Sequence, residues 1–254
     1  MSTATEEQPK IVLHWLEKSR SQRIVWLLEE CKVPYEIKTY KRVNRLAPPE
    51  LKKIHPLGKS PVITIQAAGQ TEPLVLAESS AISEYLIDHF AKQLVPAQWK
   101  EGQQGKVGGE TESWLRYRFY MHYCEGSFMS SLLLRYLINA LAGPEVPFLI
   151  RPVTRLVVGK MNEMFLDPNI KTHFDFLEQQ LASSGGDYLC GKEITGADIM
   201  MSFPVLGVTS GSFPFDNEKY SQIKAYSERL QQLDLYKTSV QKVEELTGEK
   251  YVLL

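Results

Sequence analysis

The chain has 254 residues, 43% hydrophobic and 23% charged, which fits one large or two modest globular domains and excludes an extended disordered protein. Its 29 basic and 30 acidic residues leave a net charge of −1, so nothing pulls it from a distance toward nucleic acid or an anionic surface. Five His and three Cys are scattered without CxxC or metal-ligand spacing, which gives no metal site, and the odd cysteine count fits reduced thiols. Residues 1–10 are polar and acidic, lack the basic start and apolar core of a signal peptide, and are expected to be flexible through residue 9. No stretch approaches the ~18 apolar residues of a membrane span; residues 148–158 are interrupted by Arg151, Pro152 and Arg155.

In chain order, residues 11–16 form a compact apolar run that reads as a buried strand. Ile24, Val25, Leu27, Leu28 and Cys31 follow helical spacing, and that helix stops before Pro34. Residues 35–40 alternate as a second strand, and Pro48-Pro49-Glu50 opens a helix through Leu51 and Ile54. Residues 62–65 and 74–76 read as a hairpin around Gly69-Gln70, and residues 79–90 as a helix. A strand–helix–strand start requires a parallel pair, and the later hairpin is antiparallel, so the expected first domain is a small mixed sheet covered by helices. Residues 95–110, with Gly102, Gly105, Gly108 and Gly109, read as a linker. Beyond residue 111 no convincing strand occurs. Trp114, Tyr117, Tyr120, Met121, Cys124 and Phe128 keep 3–4 spacing, and further helices are expected near 151–166, 170–183, 196–208 and 217–231. Thr195-Gly196-Ala197-Asp198 is a capping box flanked by Ile194 and Ile199, a folding device of about 1 kcal/mol.

Three segments of the first domain carry candidate chemistry. Ser19-Arg20-Ser21-Gln22-Arg23 puts hydroxyls beside a helix N-terminus, where N–H groups favour an anion, although an N-cap serine explains the same residues. Gly58-Lys59-Ser60-Pro61-Val62 puts a proline at a strand start, the place for an edge or a cis turn that offers its backbone to an extended peptide. Ala77-Glu78-Ser79-Ser80 enters a helix with a carboxylate for an ammonium group and an N–H for a carboxylate, or serves simply as a cap.

With these segments in this order ahead of a helical half, the sequence resembles the soluble glutathione transferases over nearly its whole length. His14-Trp15-Leu16 through Trp26-Leu27-Leu28, the run from Ala47 to Gly58, Glu125-Gly126-Ser127 and Met201-Ser202-Phe203-Pro204 are similar to the fungal Gtt-type members and their bacterial relatives. The resemblance implies an α/β plus all-α protein: a thioredoxin-like domain over 1–94, the linker over 95–110, and an all-helical domain over 111–254 with the electrophile pocket. It implies glutathione as co-substrate, no metal, and a hydrophobic electrophile as the other substrate, with peroxide reduction by the same thiolate left open. The alternatives are a glutathione-dependent disulfide oxidoreductase and a non-catalytic binding protein of the same fold.

By the same resemblance Ser19 takes the place of the catalytic serine, with Ser21 as its competitor. Glu78 and Ser79 hold the γ-glutamyl end, Ser60 and Pro61 pair with the cysteinyl residue, and Lys59 reaches the glycine carboxylate. Lys41, Arg42 and Arg45 lie near a second basic position of the family, but none aligns with it. Tyr117, Tyr120 and Tyr123 are the candidate electrophile pocket, with helix packing as their other explanation. Cys31, among apolar residues, reads as core. A homodimer is implied, as is a cytoplasmic location with association to internal membranes left open; no nucleic acid partner and no transmembrane segment are expected.

Overall fold

The computed structural model describes residues 8–253; of the stretch expected to be flexible, residues 1–7 lie outside the described residues. Strands β1 (Lys10–Leu16), β2 (Tyr35–Tyr40), β3 (Val62–Gln66) and β4 (Leu74–Ala77) make one sheet in the order β2-β1-β3-β4. The β1–β2 pair is parallel, and the β1–β3 and β3–β4 pairs are antiparallel. This is the thioredoxin-like arrangement expected from the sequence. Helix α1 (Gln22–Cys31) makes the β1–β2 crossover, and α2 (Ser79–Phe90) follows β4. The Pro48-Pro49 start yields only a short 3-10 turn, Pro49–Lys53, with Pro49 at its first position.

Residues 95–110 contain no helix or strand. Gly102, Gly105 and Gly108 turn the chain at positive φ (70°, 74° and 78°), and a Trp99–Glu110 bridge closes the excursion. Then α3 (Glu112–Tyr123) and α4 (Ser130–Ala140) run on as one rod through a π-helical turn, Cys124–Met129. Thr111 caps α3, its hydroxyl accepting the Trp114 N–H at 3.2 Å. Helices α5 (Arg151–Met161), α6 (Asp167–Ala182), α7 (Gly196–Gly207), α8 (Ser221–Gln232) and α9 (Asp234–Thr247) complete the all-helical half. The all-helical half is expected to reach residue 254 with no individual helix marked beyond 231, and α9 occupies that stretch. That helix packs along α1: Tyr236 meets Trp26 edge-on at 5.3 Å, and Ser239 accepts from Gln22.

Every residue of α1 from Gln22 to Leu28 is buried, between the sheet on one side and α7 and α9 on the other. Every residue of α7 is likewise buried. At its start Gly196 is pressed so close to α2 that a Cβ would lie 2.3 Å from Ile87 Cδ1. The expected capping box is built here from its carboxylate side. Asp198 Oδ2 accepts the Thr195 N–H and hydroxyl, each at 2.8 Å. Asp198 Oδ1 accepts the Leu189 N–H at 3.0 Å and the Tyr226 hydroxyl at 2.8 Å. Burial still pushes this carboxyl above its ordinary value despite the four donors. One hydrophobic core therefore runs from the sheet through α1 into the helical half. Among the described residues no helix is long and apolar enough to cross a membrane.

Candidate active site

Sheet register gathers the three candidate segments. His14 of β1 pairs with Val62 of β3, and Val62 pairs with Ala77 of β4. Residues 19–21, 59–61 and 78–79 therefore leave or enter the sheet at one end, beside the N-terminus of α1.

The serines there form a connected array. Ser19 Oγ donates to the Leu16 carbonyl at 2.7 Å and lies 2.7 Å from Ser21 Oγ. Ser21 Oγ lies 2.6 Å from Ser60 Oγ, which donates to the His14 carbonyl at 2.8 Å. Each hydroxyl supplies one proton and both ends of the chain are carbonyls, so three protons serve four contacts. One contact always lacks a proton. An incoming acceptor competes for the Ser19 proton with the Leu16 carbonyl and Ser21 Oγ.

Ser21 stands at the N-cap position but makes no side-chain cap bond; its hydroxyl is engaged by Ser19 and Ser60 instead. Ser21 is buried, whereas Ser19 is half-buried and reaches the surface. Ser60–Pro61 is a cis peptide, and Pro61 is buried. Lys59 and Glu78 are exposed, and Ser79 is the first residue of α2. The side chains of Lys59, Glu78 and Ser79 make no hydrogen bond or ion pair with another described residue. Glu78 sits at φ 72°, a conformation that costs a non-glycine residue about 1–3 kcal/mol and is concentrated at ligand sites.

The three cations near the second strand are occupied. Lys41 pairs with Glu249 at 2.8 Å and Arg45 with Glu145 at 2.6 Å. Arg42 braces the loop that carries Ser19: it donates to the carbonyls of Glu17 at 3.2 Å and Lys18 at 2.9 Å, and its own N–H meets Glu17 Oε1 at 2.6 Å.

A second brace comes from the helical half. Arg23 is wholly buried and donates to the Met200 carbonyl at 2.8 Å and to Cys124 Sγ at 3.3 Å. Glu125, in the π-helical turn, grips Arg23 with Oε1 and Arg20 with Oε2. Burial raises the Glu125 carboxyl, but the Arg23 and Arg20 guanidiniums outweigh it and hold the group below its ordinary value. Sequence reasoning gave Glu125 no role. In the sequence it stands out only within the Glu125-Gly126-Ser127 run that resembles the Gtt-type members, and no local motif gives it a role.

Tyr117, Tyr120 and Tyr123, expected to line an electrophile pocket, are instead interior, at 4%, 0% and 8% exposure. Tyr123 stacks on Phe119 and Phe128, and its hydroxyl meets His173 Nδ1 at 2.7 Å. Their 3–4 spacing marked the buried stripe of α3 rather than a cavity wall. Open space lies elsewhere: one cavity, of about 670 Å³, is bounded by Ile170, Phe174, Phe213, Phe215 and Tyr220. A cavity of about 280 Å³ is lined by Arg45, Arg135, Tyr136, Asn139, Pro144 and Phe213, between the loop after β2 and the end of α4. Arg42, which braces the Ser19 loop, also donates to the carbonyl of the cavity residue Arg45 at 3.2 Å. Cys31, Cys124 and Cys190 are all buried, and burial pushes each thiol up to about 12. No group of three or more His, Cys, Asp or Glu able to hold a metal occurs among the described residues.

Two family models match the chain: "Glutathione S-transferase, N-terminal domain" over residues 9–88 and "Glutathione S-transferase, C-terminal domain" over 157–236. Glutathione S-transferase 1 of Saccharomyces cerevisiae is 33% identical over 94% of this chain and 97% of its own. Glutathione S-transferase 3 of Schizosaccharomyces pombe is 31% identical over 93% of this chain and 89% of its own. A crystal structure of a glutathione S-transferase from Actinobacillus pleuropneumoniae superposes with a TM-score of 0.64 at 29% identity, over 96% of this chain and 95% of that one.

Proposed function

Because the chain belongs to the glutathione S-transferase family, we propose that it binds glutathione at the Ser19–Ser60–Ser79 end of the sheet and conjugates the thiolate to hydrophobic electrophiles. The observation that carries this is the division of labour at that end. A half-buried hydroxyl stands at the mouth of α1, and three polar side chains at the same end of the sheet have no partner among the described residues. Glu78 receives the ammonium group and Ser79 the α-carboxylate, a pairing of complementary charge with donors at a helix start. Ser60 and Pro61 present backbone to the cysteinyl residue, and Lys59 takes the glycine carboxylate. Ser19 donates to the sulfur. Its exposure supports it over Ser21, which is buried beneath it. The helix N-terminus adds its dipole to the same negative charge.

The electrophile fits the cavity beside Arg45, Tyr136 and Phe213, which replaces the three tyrosines as the candidate pocket. Leu133, Leu137, Leu156 and Phe165 on and near α4 and α5 are about half to two-thirds exposed, which supports a homodimer that covers apolar surface of the helical half. With all three thiols buried and protonated, the protein offers no cysteine nucleophile, which favours conjugation over disulfide reduction through a protein thiol.

The test is turnover of halogenated aromatics and isothiocyanates with glutathione, alongside disulfide and organic hydroperoxide substrates. Conjugation is the expected activity. Glutathione binding without turnover of any electrophile supports a carrier and overturns the proposal, and activity confined to disulfides moves the protein to the oxidoreductases.

A further inference from the structure

We propose that Glu125 is a positioning residue for thiol activation: from the helical half it clamps Arg20, and so fixes the charge and the loop next to Ser19. The inference rests on the thiolate reading above and adds a residue to it. Glu125 spends both oxygens on α1 and its entry loop, one on Arg23 and one on Arg20. The two arginines are in different states. Arg23 has no exposed side-chain surface and is already anchored by Met200 O, so it fixes the carboxylate. The Arg20 side chain is 41% exposed, and Glu125 is its hydrogen-bond partner. Unclamped, such a side chain spreads over many rotamers and aims its charge at water.

A scaffold role for Glu125 needs only the Arg23 contact, because that pair alone neutralises the buried guanidinium. The second oxygen is directed to the residue adjoining Ser19. The helix widens to a π-helical turn where Glu125 is presented, Cys124–Met129, a device frequent at functional sites. Among the described residues the other titratable group facing the cluster is the Cys124 thiol against Arg23, which burial keeps protonated, so the carboxylate and two guanidiniums hold a net charge of +1. That charge lies at the end of α1 that already favours an anion.

The sign of one measurement separates positioning from simple charge. Glu125→Gln removes a negative charge, so a through-space effect alone lowers the pKa of the bound thiol. Release of Arg20 raises it, since the amide offers one acceptor oxygen for two guanidiniums. The experiment titrates the ultraviolet absorbance of the thiolate in the glutathione complexes of wild type, Glu125→Gln, Arg20→Ala and the double variant. Expected is a rise of about one pH unit in each single variant, a tenfold loss of thiolate below both values, with the double variant no worse than the larger single. A fall or no change in Glu125→Gln overturns the inference. Should that variant fail to fold, Arg20→Ala keeps the Glu125–Arg23 pair intact and decides alone: an unmoved thiol overturns the proposal. A wild-type complex without thiolate at neutral pH overturns the functional reading and this inference together, whereas a wild-type thiolate unmoved by Arg20→Ala overturns only the latter.

Discussion

Replacing Ser19 by alanine isolates the contribution of one hydroxyl. A free thiol with a pKa of about 8.5 is only about 3% thiolate at pH 7. A hydrogen bond to a charged group contributes about 1.5–3 kcal/mol, equivalent to lowering that pKa by about one to two pH units. With a bound thiol near pH ~6.5, the variant returns to about 7.5–8.5, and the thiolate fraction at pH 6.5 falls from about half to roughly 1–9%. Conjugation at pH 6.5 therefore drops roughly 5- to 50-fold, while the two enzymes converge above pH ~9, where both thiols are ionised. Folding is affected less. The lost bonds are neutral ones to Leu16 O and Ser21 Oγ at a half-buried position, about 1 kcal/mol. The assay is kcat/KM for a halogenated aromatic across pH 6–9, paired with the thiolate absorbance of the glutathione complex. Superimposable wild-type and Ser19→Ala profiles would refute the argument, and Ser21→Ala with the larger shift would transfer the role to the buried hydroxyl.

Three further outcomes follow from the packing. Asp198→Ala strands two backbone N–H groups and two hydroxyls in the interior and should destabilise by about 3–5 kcal/mol in a denaturant titration; a loss under about 1 kcal/mol contradicts the account of this box. Gly196→Ala sets a methyl 2.3 Å from Ile87 Cδ1 and should cost about 1–3 kcal/mol, with the companion Ile87→Val relieving part of it. Cys31, Cys124 and Cys190, raised to about 12 by burial, should resist a thiol reagent at pH 8 in the folded protein, and all three should react in denaturant; fast labelling of any one in the native state contradicts its burial.

Much of the fold was legible because it is written in short-range terms. Burial of most of β1 gives a compact run broken only by His14, the buried stretch of residues 24–28 makes the middle of α1 wholly apolar, and the Thr195–Asp198 box needs only four consecutive residues. Helix α9 was missed although Leu235, Tyr236, Val243 and Leu246 keep helical spacing, since its polar remainder suits a tail as well as a helix until α1 is there to receive it. The tyrosines of α3 show the converse. Periodicity found the stripe correctly but does not say whether a stripe meets a cavity or another helix.

The sequence by itself determined the strands of the sheet with α1 and α2, the three segments with hydroxyls and charges at strand and helix ends, and the family those segments mark. Tertiary structure decided which hydroxyl reaches the surface, that Ser21 joins Ser19 and Ser60 instead of capping α1, and that Glu125 meets Arg20 from 105 residues away. Local propensity acts over a few neighbours along the chain. Burial, hydrogen-bond partners and the direction of a charge depend on groups brought together only when the sheet and the helices close on one core.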